Sequence, residues 1–226
     1  MKIEIWSDFA CPFCYIGKKN LEQAMNGRED VEVEFRSFEL DPNAPVETDK
    51  SIHELLAEKY GKTVEEAKQM NAQVGQMAEL AGLHYDFDNM KSTNTFTAHR
   101  IAQYARSVGK ENEFMELGMD AYFAKGAFLN DEETLVELAK KAGLDETKVR
   151  EIIHSNEYLA QVRVDETKAM EYGINSVPFF LIDGKYAVSG AQPVESFVSV
   201  LERAGGTKAE IKATQGPGCE DGSCSI

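Results

Sequence analysis

Ser7-Asp8-Phe9-Ala10-Cys11-Pro12-Phe13-Cys14-Tyr15-Ile16-Gly17 decides how this chain reads. It follows Lys2-Ile3-Glu4-Ile5-Trp6, where Ile3 and Ile5 share one face and Lys2 and Glu4 the other, as in a half-buried strand. Pro12 suits the first turn of a helix, where its missing N–H costs nothing. The helix continues through Tyr15, Ile16, Leu21 and Ala24-Met25 and stops near Gly27. Val31 to Phe38 alternates again and reads as a second strand. The opening is therefore strand, Cys-x-x-Cys, helix, strand. At the head of a helix Cys11 meets unpaired N–H groups and the positive end of the helix dipole, which favour a thiolate and predict a pKa below the free-thiol value of about 8.5. Cys14, nearly one turn later, is expected to be more buried and protonated. One sulfur can attack a disulfide and the other can resolve the product.

Working outward, Asp41-Pro42-Asn43-Ala44-Pro45 interrupts the pattern, and residues 51 to 172 are helix-rich. Gly82, Gly109, Gly126 and Gly143 read as stops or turns, and Asp131 and Asp145 as N-caps. Strand character returns at Pro178-Phe179-Phe180-Leu181-Ile182. Asp183-Gly184 is a hairpin turn signal, with Lys185 to Ser189 as the return strand. Pro193 opens a last helix through Phe197, Val200 and Leu201. A polar tail follows Gly205-Gly206, carries Cys219 and Cys224, and is expected to be mobile or loosely docked. This order predicts an α/β thioredoxin-like fold with a large helical insertion. Residues 1–45 and 157–205 form the thioredoxin-like part, 46–156 the inserted helical domain, and 206–226 a flexible tail.

The chain has 226 residues, 42% of them hydrophobic, enough for a sizeable core. Its net charge of -15 disfavours phosphate backbones and anionic lipid, so neither nucleic acid nor a membrane surface is an expected partner. The N-terminus shows no basic start followed by an apolar stretch, and no apolar run approaches membrane-spanning length, so a cytoplasmic protein is expected. In a reducing compartment closely spaced cysteines are catalytic, redox-sensing or metal-binding more often than structural.

The segment Ser7 to Gly17 resembles the active-site stretch of the DsbA superfamily, in particular its cytosolic FrnE-like branch. Asn94-Thr95-Phe96-Thr97-Ala98-His99-Arg100 is similar to an insertion segment of that branch and of its isomerase and kappa-class glutathione transferase relatives. Gly173-Ile174-Asn175-Ser176-Val177-Pro178-Phe179-Phe180 is similar to the cis-proline loop, and Ser189-Gly190-Ala191-Gln192 to the segment after the last strand. The resemblance covers Met1 to about Ala204. It implies a protein disulfide oxidase, reductase or isomerase with Cys11 as nucleophile and Cys14 as resolving thiol. It also implies a cis Val177–Pro178 bond and a substrate site made by Pro12, Phe13, Val177, Pro178, Ala191 and Gln192. Thiol- or disulfide-containing proteins are the implied partners, with glutathione as the candidate co-substrate and no other cofactor. Relatives are often homodimers, although no sequence feature demands one. Phe13 supplies no cationic partner to Cys11, so the couple is expected to be less oxidising than that of DsbA.

Cys219-Glu220-Asp221-Gly222-Ser223-Cys224 can close a small disulfide loop. A similar pair occurs in some FrnE-like proteins, which makes it a candidate second redox pair, although Glu220 and Asp221 would raise its thiol pKa values. A zinc site built from Cys11, Cys14, Cys219 and Cys224 is the rival reading, and the wider second spacing and Pro12 argue against it, so no metal is expected. A kappa-type glutathione transferase or isomerase and a chaperone-like binding protein are the alternative functions. The first usually carries serine where this chain has Cys11. Asp8 is expected to be solvated, and Trp6 and Phe9 to pack beside the loop. His53, His84, His99 and His154 lack metal-ligand spacing. Met70, Met77, Met90, Met115 and Met119 read as core filling, a few of them as the lining of an adaptable apolar groove.

Overall fold

The computed structural model describes every residue except 29, 206–217, 221–222 and 226, with the backbone alone for 218–220 and 223–225. β1 (Lys2–Ser7) is an inner strand of the main sheet. Its alternation buries Ile3 and Ile5 on one face. Through α1 (Pro12–Met25) it leads to β2 (Glu32–Ser37), which pairs with it in parallel. On its other side lies β4 (Phe179–Ile182), antiparallel, followed by β5 (Tyr186–Ser189), to give the order β2-β1-β4-β5. The β4–β5 turn is the expected Asp183-Gly184 pair, with φ of 49° and 65°, the two positive values that a type I′ hairpin requires. α9 (Val194–Gly205) packs on α1 and seats Phe197 edge-on against Phe180 at 4.8 Å.

Between β2 and β4 run α2 (Ile52–Tyr60), α3 (Val64–Leu80), α4 (Phe96–Ser107), α5 (Glu111–Lys125), α6 (Glu132–Lys141) and α7 (Glu146–Ile153), followed by α8 (Leu159–Glu171). Asp131 and Asp145 cap α6 and α7 as expected, accepting the backbone N–H groups of Thr134 and Lys148. α2 and α3 begin with reciprocal capping boxes, Ser51 with Glu54 and Thr63 with Glu66. One continuous apolar core runs from the sheet into these helices. At its edge buried Asp165 of α8 accepts bonds from Arg36, Arg106, Gln103 and the Ser37 N–H, tying α4 and α8 to β2.

The cis-proline region departs from a single strand. Ser176–Val177 forms a separate strand, β3, and the chain turns at the cis Val177–Pro178 bond before β4 begins. β3 belongs to a second sheet with β6 (Gly218–Glu220) and β7 (Ser223–Ser225) from the C-terminal tail, in the order β3-β6-β7. Residues 206–217, 221–222 and 226 of that tail lie outside the described residues. Among the described residues no helix is long and apolar enough to cross a membrane.

Candidate active site

Cys11 is the N-cap of α1. Its backbone is extended (φ -92°, ψ 111°) and Pro12 opens the helix. Its sulfur accepts the Cys14 N–H at 3.3 Å, and its thiol faces the Val177 carbonyl at 3.6 Å. The Cys14 N–H also reaches the Cys11 carbonyl at 3.0 Å. The motif and the residue before the cis-proline, 166 positions apart, are thus in direct contact. Gly17 makes this approach possible. A Cβ there would stand 3.0 Å from Pro178 Cγ and from Phe180 Cζ, so the missing side chain lets α1 lie close against the loop without either neighbour having to shift.

The electrostatics correct the expectation of an acidic thiol. Cys11 and Cys14 are 0% and 1% exposed, so Cys14 is not the more buried of the two. Burial raises the Cys11 pKa well above its ordinary value, and the neighbouring Cys14 thiol raises it further. The Cys14 N–H works in the opposite direction but is the weaker influence. A helix start favours a thiolate only when removal from water does not cost more.

Among the other expected site residues, Val177 and Pro178 face the motif, and Pro12 lines a cavity together with Asp8 and Ala10. Phe13 is fully buried, so its ring belongs to the core and presents no surface to a ligand. Ala191 and Gln192 are buried at the same junction. The Gln192 amide donates to the Ser189 carbonyl at 3.0 Å, and the Gln192 carbonyl accepts from Asn20 at 2.8 Å. The backbone register places Cys219 opposite Val177 and Cys224 opposite Cys219. No group of three or more His, Cys, Asp or Glu side chains among the described residues is arranged to hold a metal ion.

Asp8 is not solvated. It is 1% exposed and accepts the Leu40 N–H at 2.7 Å, the Ala10 N–H at 3.3 Å and His99 Nε2 at 3.3 Å, which fixes the loop ahead of Cys11. Burial alone would lower the His99 pKa, but the bond to Asp8 and the charges of Asp8 and Glu39 leave it raised. Phe9 packs against His99 at 5.3 Å and Phe114 at 5.8 Å. Sequence reasoning missed Tyr85. Its phenol donates to the Pro12 carbonyl at 2.7 Å, and its ring stacks on Phe123 at 4.5 Å. It stands in the irregular stretch between α3 and α4, where no periodicity singles it out.

The family model described as a DSBA-like thioredoxin domain matches residues 2–202. YwbO, an uncharacterised protein of Bacillus subtilis (strain 168), is 30% identical over 202 residues, which span 88% of this chain and 94% of that protein. A probable DsbA oxidoreductase from Streptomyces coelicolor superposes with a TM-score of 0.87 at 37% identity, covering 100% of this chain and 99% of that one. The cytosolic disulfide reductase DsbM of Pseudomonas aeruginosa has a TM-score of 0.62 at 15% identity over 89% of this chain and 97% of its own, a likeness of fold. By sequence and by architecture, this chain belongs to the DsbA-like thioredoxin family of thiol–disulfide oxidoreductases.

Proposed function

We propose that the protein exchanges disulfides with polypeptide substrates through Cys11 and Cys14. The observation that carries this reading is the Cys11 thiol at the N-cap of α1, within 3.6 Å of the carbonyl beside the cis-proline. In the reducing direction the Cys11 thiolate attacks a substrate disulfide, forms a mixed disulfide and releases one substrate thiolate. Cys14, having lost its proton, attacks the Cys11 sulfur. The second substrate thiolate leaves, and the Cys11–Cys14 disulfide holds the two electron equivalents' worth of oxidation taken from the substrate. Oxidation is the same sequence reversed. An extended substrate would pair with the Ser176–Val177 edge, as in strand addition. β6 takes that edge in this structure, so the tail leaves before a substrate strand enters.

The same register supports Cys219 and Cys224 as a second redox pair. Their two thiols reduce a Cys11–Cys14 disulfide while closing one of their own, through a mixed disulfide with Cys11. Glutathione is the candidate small co-substrate, a reading supported by a DsbM structure that carries GSH. The reducing cytoplasm is the setting in which such a pair cycles. Turnover of a disulfide-bonded protein tests the proposal. Cys11→Ser should abolish it, and Cys14→Ser should accumulate a mixed disulfide with substrate. Full turnover by Cys11→Ser would overturn the reading.

A further inference from the structure

Tyr85 reaches the active-site turn from the insertion. Its phenol donates to the Pro12 carbonyl at 2.7 Å. The ring is buried, stacked on Phe123 at 4.5 Å and on Tyr15 at 6.4 Å, with Phe87 edge-on at 5.7 Å. The next residue pins the backbone, since the Asp86 N–H donates to the Phe123 carbonyl at 2.8 Å. Packing therefore holds the hydroxyl where it meets the motif. A carbonyl oxygen has two lone pairs, so this bond leaves room for a helical one. The Pro12 carbonyl and the Phe13 N–H are the two ends of one peptide unit. In the first turn of a helix the N–H groups point back toward the N-cap, which here is Cys11. A hydrogen bond at the carbonyl end polarises the unit and makes its N–H end more positive. Burial raises the pKa of the Tyr85 phenol, which favours the protonated, donating form.

We propose that Tyr85 is a positioning residue for disulfide exchange, its hydroxyl holding the Pro12–Phe13 peptide so that the positive end of α1 favours the Cys11 thiolate. The inference rests on Cys11 being the attacking thiol. Burial, the Cys14 thiol and the Asp8 carboxylate, itself bonded to His99, oppose ionisation of that sulfur. The Cys14 N–H, which donates to it at 3.3 Å, works in favour of ionisation. A buried thiol that must ionise to attack gains most from a helix start whose peptide dipoles are held still. Tyr85 supplies that hold from an element 73 positions away, on the side of the motif opposite in sequence to the cis-proline loop.

Iodoacetamide alkylation of Cys11 in the full-length chain across a pH series, read by peptide mass spectrometry, tests this. Tyr85→Phe keeps the stacked ring and loses the donated bond. The midpoint of its Cys11 profile should move to higher pH, with an acid dissociation constant about two- to fivefold smaller, the range expected of one net hydrogen bond. A purely structural Tyr85 predicts the opposite sign, because a loosened turn lets water reach the sulfur, and burial is what raises its pKa. Tyr15→Phe removes a phenol from the same stack, one that donates to Glu116 at 2.8 Å, and should leave the midpoint in place. Alkylation needs no substrate, so the result judges Tyr85 even where Cys11→Ser retains turnover and the exchange reading fails. An unchanged or lowered midpoint in Tyr85→Phe overturns the proposal, and so does an equal rise in Tyr15→Phe.

Discussion

The Cys11 thiol faces the Val177 carbonyl at 3.6 Å, and across the same residue the backbone of Cys219 is in register. One residue therefore joins the motif at the N-terminus to the strand pair at the C-terminus. β6 also lies against α1, and the Cys11 side chain is fully buried.

Deleting residues 206–226 should return Cys11 to water. Its pKa, raised here mainly by burial, should fall, and the thiolate fraction near neutral pH should rise by about tenfold for each unit of that fall. Iodoacetamide trapping across a pH series, read by mass spectrometry, measures this. An unchanged Cys11 alkylation rate would show that the tail does not shield the sulfur.

The Asp8–His99 pair should make stability depend on pH. The folded His99 pKa is raised above 6.5, so the folded state holds the proton more tightly than the unfolded chain. Its contribution is complete below the unfolded value and is lost as pH rises through the folded value. Urea unfolding of wild type and Asp8→Asn should show the wild-type advantage shrinking as pH rises above about 6.5. A constant difference would remove His99 as its source.

Gly118 of α5 has no room for a side chain. A Cβ there would stand 2.6 Å from Phe9 Cε1 and 2.9 Å from Cδ1. Phe9 is itself fully buried between His99 and Phe114. Gly118→Ala should cost about 1–3 kcal/mol through overpacking, less the helix propensity gained, by denaturant titration. A stabilised variant would mean that Phe9 yields freely.

Asp165→Ala should be the most damaging of these changes. It strips Arg36 and Arg106 of a 2%-exposed carboxylate and leaves the Ser37 N–H without its acceptor. A loss of about 3–5 kcal/mol in urea unfolding is expected for breaking a buried pair from one side. A loss below about 1 kcal/mol would show that solvent replaces the carboxylate at little cost.

Local pattern was enough to read the first strand, helix and second strand, the capped helices α6 and α7, and the Asp183-Gly184 hairpin. Each rests on neighbours within a few positions, namely alternation, a proline at a helix start, or an Asp-Gly pair that tolerates positive φ. The contact of Cys11 with the Val177–Pro178 region came from resemblance, because nothing local to either segment announces a partner 166 residues away. The register of β6 on β3, the loss of Phe13 to the core, the role of Tyr85 and the cavity beside Pro12 depended on how distant segments pack. The acidity of Cys11 shows the division most clearly. A helix start argues for a thiolate, but the cost of removing a charge from water depends on what covers it, and only the folded chain supplies that cover.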